Sequence, residues 1–428
     1  MSWTASVTRE RLPNGLTILV QRDDTIPVVS IVTHVRAGYF DEPDEWVGIS
    51  HVLEHMFFKG TARLGPGELA RRTQHLGGYL NAATIYDRTV YYTVVPAAND
   101  GLRRATELQA DALMHAAIDA DELRRELEVI VQEAKRKLDT PSAVTGETLY
   151  ELLFTRHHMR RWRIGTEEGL RRLTAADVRM YHRTRYTPGR TVVALTGKLD
   201  PAEALDVARV TYGAWTLADA DVPGSPAEPP GGAARLRVLH GDVQRPLAAI
   251  GWKTVGPLHP DTPALDVASA ILGDGRGSRL YRKVRLPGLA GSVGAAHYTP
   301  GDVGVFDVSL TGDGGKLDDA VARSLDLVAE LGERGPTPAD LERVRALTTT
   351  QWARRLESAD GRGSALSQFE ALGDVHLGDA YLERVMAVDA ADVIRVARQY
   401  LEPGRACAVL YLPEGATTRH TEAAWPPR

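Results

Sequence analysis

One cysteine, Cys407, stands in 428 residues. A lone thiol cannot build an internal disulfide framework, and its apolar surroundings make it a buried core thiol. Charge of one sign is also scarce: the net value of −5 gives no electrostatic case for a nucleic-acid partner. Basic clusters such as Arg156 to Arg163 and Arg282 to Arg285 are local and read as solvated faces. No apolar run approaches the ~18 residues that a membrane span requires. The opening residues, Met1 to Glu10, lack a basic segment followed by an apolar stretch. No secretory signal is visible, so the expected location is cytoplasmic.

What is present is ordinary for a globular enzyme: 43% hydrophobic and 25% charged residues, over a length that calls for two domains. Strand signals at 7–12, 16–21 and 28–37 precede a helical stretch. Strands at 79–85 and 88–95 follow, then helices at 100–117 and 119–138. Runs of strands followed by runs of helices predict an α+β fold. A Pro- and Gly-rich stretch at 218–234 reads as a linker. Beyond it the plan repeats, which divides the chain into an N-terminal domain of 1–217, the linker, a related C-terminal domain of 235–412 and a mobile polar tail of 413–428. The expected architecture is two related domains, each an antiparallel sheet packed with helices, forming one half of a clamshell.

The chemistry concentrates in Gly48 to Gly60, with the order His51-x-x-Glu54-His55. On a helix, His51 and His55 lie roughly 40° apart and Glu54 roughly 60° to the other side of His51. Two imidazoles at i and i+4 can hold one zinc ion, and the carboxylate between them can act as base on zinc-bound water. This is the inverted zinc motif. Ser50 or Asp44 is the candidate N-cap of that helix. A third protein ligand is needed, and Glu126 and Glu133, two turns apart on one helical face, can each supply it. The helix at 262–272 holds the equivalent place in the second half but carries no histidine, so that half is expected to be without metal.

Gly48 to Thr61, Glu126 to Glu133, Asp139-Thr-Pro141, Gly78 to Ala82, Thr89 to Tyr92 and Tyr186-Thr-Pro188 together resemble the pitrilysin and insulinase family, in its half-size form akin to mitochondrial processing peptidase. The resemblance implies a zinc metalloendopeptidase carrying one zinc ion per chain on His51, His55 and Glu133. It makes Glu54 the general base and Glu126 an accessory carboxylate behind the ligands. It also implies that the strand with Asn81 and Ala82 pairs with the backbone of an extended polypeptide substrate, such as a precursor or leader peptide. A non-catalytic scaffold or peptide-binding subunit is the alternative reading.

One departure bears on partners. Family members that work alone carry an Arg and, seven residues on, a Tyr in the C-terminal half. Here Arg285 fits the Arg, whereas Gly291 takes the place of the Tyr with one residue missing before it. The expected partner is therefore a related metal-free subunit in a heterodimer, with a homodimer as the other possibility.

Overall fold

Strand alternation and helical periodicity generate two sheets. The computed structural model describes residues 2–218, 220, 223–229, 231–312 and 315–426. The first sheet contains β1 (Thr8–Arg11), β2 (Thr17–Arg22), β3 (Val28–Val35), β4 (Tyr79–Thr84), β5 (Thr89–Pro96) and β6 (Thr191–Gly197), in the order β1-β2-β6-β3-β5-β4. The second contains β7 (Arg235–Gly241), β8 (Leu247–Val255), β9 (Ala290–Tyr298), β10 (Val303–Gly312) and β11 (Cys407–Pro413), in the order β7-β11-β8-β10-β9. Apart from β1, the two orders correspond strand for strand.

The sheets are not wholly antiparallel as expected. β2 pairs parallel with β6, and β7 pairs parallel with β11. A parallel partner cannot be reached through a hairpin and needs a long excursion. In each half the intervening strands and helices supply it, which local sequence pattern does not reveal.

The first half carries helices α1 (Ile49–Phe57), α2 (Glu68–His75), α3 (Gly101–His115), α4 (Ala120–Leu138), α5 (Pro141–Leu153), α6 (Glu167–Arg172), α7 (Ala175–Arg185) and α8 (Pro201–Tyr212). After the second sheet begins come α9 (Thr262–Gly273), α10 (Leu317–Arg334), α11 (Pro338–Arg355), α12 (Ala359–Ala371), α13 (Leu377–Ala387) and α14 (Ala390–Tyr400). Among the described residues no helix is long and apolar enough to cross a membrane.

Two compact units result, and their composition differs from the sequence-based cuts at 217 and 235. Unit one is Met1–Ala134, Arg163–Ser225 and Gln351–Ala380; unit two is Lys135–Trp162, Pro226–Thr350 and Tyr381–Arg428. In unit one, α12 from the far end of the chain covers the back of the sheet. Leu366 packs there with the buried side chains Leu19, Val32, Val192 and Ala194. Gly363 permits this approach, since a Cβ would stand 2.7 Å from Val32 Cγ2. In unit two, α5 covers the corresponding strands: a Cβ on Gly251 of β8 would meet Leu149 at 2.9 Å and Leu153 at 3.1 Å. Burying such side chains contributes about 1.5–3 kcal/mol each, enough to commit both helices to these faces.

The expected linker and tail are both held. Residues 219, 221, 222 and 230 of the linker and 427–428 of the tail lie outside the described residues. Glu228 of the linker accepts from the successive amides of Thr155, Arg156 and His157 at 2.9, 2.9 and 3.0 Å. In the tail, Trp425 is buried and its indole donates to the Ala406 carbonyl at 2.8 Å.

Candidate active site

The site is built on α1 in unit one. Val52, Leu53, Met56 and Phe57 are buried, so one side of this short helix is fixed in the core. The N-cap is Gly48, rather than Ser50 or Asp44. Its φ of 98° lies in the left-handed region, and a Cβ there would stand 2.6 Å from the Ile164 carbonyl oxygen, so both conformation and space select glycine. The missing capping side chain is replaced by Glu42, 1% exposed, which accepts from the amides of Gly48 and Ser50 at 2.8 Å each. A carboxylate at this end also opposes the helix dipole favourably.

On the other side of α1, His51 Nε2 and His55 Nε2 stand 3.2 Å apart. From α4, Glu133 brings one carboxylate oxygen to 3.9 Å from His51 Nε2 and the other to 3.9 Å from His55 Nε2. Four donors about 2.1 Å from a zinc ion stand about 3.4 Å from one another. The spacing and the donor set, two imidazoles and one carboxylate, fit that ion. Among the described residues this is the one His/Cys/Asp/Glu triple close enough to share a metal.

The choice between the two glutamates of α4 follows from their partners. Glu126 is 7% exposed and has both oxygens engaged: Oε1 with His55 Nδ1 at 2.7 Å, Oε2 with the Lys59 ammonium. A proton on His55 Nδ1, shared with Glu126, leaves the Nε2 lone pair directed at Glu133 and His51. Burial alone would push the Glu126 carboxyl up, but the hydrogen bonds from Lys59 and His55 outweigh it and hold the group below its ordinary value. Glu126 thus orients His55, and Glu133 faces the Nε2 atoms of both histidines.

Glu54 points elsewhere. Its Oε2 accepts from Thr84 Oγ1 at 2.5 Å, which anchors it to the end of β4. Burial raises its pKa, against the lowering effects of the Thr84 hydrogen bond and the His55 charge. Lys59, Thr84 and Glu42 escaped the sequence reading. Lys59 carried a usable signal, falling four residues after His55, and Thr84 falls two after Ala82 on the same strand face.

β4 is the edge strand of its sheet. Its even-numbered residues are half-buried, Leu80 and Ala82 packing on the core, while Tyr79, Asn81 and Ala83 are exposed. The Ala82 amide donates to Asn81 Oδ1 at 2.9 Å rather than to β5, so this amide lies on the open edge. Asn81 and Ala82 belong to the same unit as His51, His55 and Glu133. Arg285 lies in unit two, in a π-helical turn at Tyr281–Arg285, exposed, with its guanidinium 5.5 Å from the centre of the Tyr281 ring. Gly291 is the second residue of β9 and, having no side chain, offers nothing in place of a Tyr.

The family model for insulinase (peptidase family M16) matches residues 17–167, and that for the peptidase M16 inactive domain matches 172–348. The chain belongs to the insulinase family. It is 28% identical over 416 residues to an uncharacterized zinc protease of Mycobacterium leprae, covering 95% of this chain and 92% of that one. A probable mitochondrial-processing peptidase subunit beta of Arabidopsis thaliana is 26% identical, over 91% of this chain and 75% of that protein. A protease from Helicobacter pylori has the same fold, with a TM-score of 0.90 at 24% identity, over 95% of this chain and 99% of that one. In this insulinase-family chain the inverted motif and both glutamates of α4 fall within the stretch matched by the insulinase model. Helix α9, which carries no histidine, falls within the stretch matched by the inactive-domain model.

Proposed function

We propose that this chain is a zinc-dependent endopeptidase that hydrolyses peptide bonds of extended polypeptides, as in the processing of precursors or leader peptides. The observation that carries the reading is the approach of Glu133 to both histidine Nε2 atoms while Glu54, on the same helix, is held apart by Thr84. His51, His55 and Glu133 would hold the ion. Bound there, zinc supplies Lewis acidity, polarising the scissile carbonyl and making water more acidic.

The remaining steps belong to the protein. The open edge of β4 takes the substrate as an added strand, with the Ala82 amide passing from Asn81 to a substrate carbonyl. Backbone pairing of this kind favours extended chain over any particular side chain. Glu54 takes a proton from the attacking water and delivers it to the leaving amine, and burial, which makes the carboxylate more basic, favours the first transfer. Glu126 and Lys59 keep the His55 ring in its binding orientation.

We further propose that the chain works with a related, metal-free subunit. Gly291 leaves the C-terminal half without the expected Tyr, and the Arabidopsis relative is itself named as a subunit. The test is zinc content by elemental analysis, with cleavage of an unstructured polypeptide followed by mass spectrometry. About one zinc per chain and cleavage dependent on it support the reading. A zinc-free chain that cleaves nothing, alone or with a related subunit, overturns it in favour of a scaffold.

A further inference from the structure

Unit two contains a cavity of about 430 Å³ at one end of its sheet, within the size range of small-molecule sites. Leu153 and Phe154 form an apolar wall, and Arg235, Lys253 and Arg405 bring three cations to it. Two of these are already matched. Lys253 Nζ lies 3.1 Å from Glu228 Oε1, and Arg405 Nε lies 3.2 Å from Glu402 Oε2. The acids of the lining are engaged as well. Glu228 is surrounded by three backbone amides, and Asp302 faces His157 Nε2 at 3.2 Å.

Arg235 is the exception. It opens β7, its Nε is buried without a hydrogen-bond partner, and it pairs with no carboxylate among the described residues. A half-buried guanidinium at a cavity wall with no carboxylate, and only the weakly accepting Cys407 sulfur beside it, is costly, because desolvation is not fully repaid by pairing. A ligand oxyanion would repay it. We propose that this cavity binds a small organic oxyanion, a carboxylate or phosphate monoester on an apolar body, with Arg235 as its counter-ion, Arg405 at the rim and the apolar body against Phe154. Neither the peptidase chemistry nor the β4 edge requires such a site.

The chain contains its own reporter, since its sole cysteine, Cys407, lines the same cavity. Burial raises the thiol pKa, against the opposing effect of Arg235, so labelling will be slow and is best followed at mildly alkaline pH. The full-length protein is treated with a neutral disulfide reagent, with and without benzoate, phenyl phosphate or uncharged benzamide. At a probe concentration about ten times its dissociation constant, labelling should slow roughly tenfold. Benzoate, phenyl phosphate or both should protect, the stronger identifying the head group, and benzamide should not. Arg235→Met should abolish protection while the melting temperature stays near that of the parent. If Arg235→Met does not fold, Arg405→Met replaces it and should weaken protection. Labelling indifferent to both anions, protection by benzamide equal to that by benzoate, or full protection persisting in the folded Arg235→Met protein, or in Arg405→Met where that replaces it, overturns the proposal.

Discussion

His55 Nδ1 lies 2.7 Å from Glu126 Oε1, while His55 Nε2 lies 3.9 Å from Glu133 Oε2. One imidazole thus separates two glutamates that share a helix face, and assigns them different work. Glu133→Gln and His55→Ala should release zinc on dialysis. Glu126→Gln should keep it with affinity weakened about 10- to 100-fold, the usual effect of removing a carboxylate behind a ligand. Elemental analysis after dialysis against graded chelator reads all three. Zinc retained by Glu133→Gln and lost by Glu126→Gln would exchange their roles.

Glu54→Gln separates binding from chemistry. The side chain is held by Thr84 rather than by the metal position, so the variant should fold and bind one zinc. Its turnover should fall by a factor of about 10² to 10⁴. Loss of zinc together with activity would make Glu54 a ligand.

The chain purified alone should bind zinc yet cleave peptides poorly, because Gly291 leaves the C-terminal half without the expected Tyr. Adding a related metal-free subunit should raise the rate. Full turnover by the isolated chain, unchanged by any such subunit, counts against pairing.

Asp307 on β10 gives a pH signature outside the site. Burial raises its pKa to about 6 from the ordinary aspartate value of 3.8, with His297 opposing. The folded state therefore holds a proton that the unfolded state has lost between these two values. Stability from this group is greatest below the lower value and declines as pH rises through about 6, by up to about 3 kcal/mol. Asp307→Asn should flatten that slope and raise the melting temperature at pH 8. Unfolding curves for both proteins across this range decide it, and an unchanged slope in the variant would refute the assignment.

Much of the site was readable because its spacing is local. His51, Glu54 and His55 sit on consecutive turns of one helix, and Glu126 and Glu133 are two turns apart on another, so periodicity alone aligned them. Spacing left those two glutamates equivalent and only the resemblance distinguished them; the physical reason, that His55 and Lys59 both bond to Glu126, is a tertiary fact. The cap failed for a similar reason. Ser50 looked suitable, yet its hydroxyl bonds to Tyr181, far along the chain, and the buried Glu42 serves the helix amides instead. Strand positions followed from alternation, whereas the parallel pairs and the exchange of α5 and α12 depend on contacts between distant segments. Helices α12 to α14 and strand β11 were not anticipated at all.

The interleaving also bears on the order in which the protein can be made. During synthesis, Leu19, Val32, Val192 and Ala194 are complete long before Leu366, which covers them, leaves the ribosome. The first sheet must wait with its apolar back exposed while more than a hundred further residues are added, and uncovered sheets of this kind invite mispairing. A ribosome stalled within the second sheet would hold a nascent chain whose first unit contains His51, His55 and Glu133 but lacks α12, its closing helix.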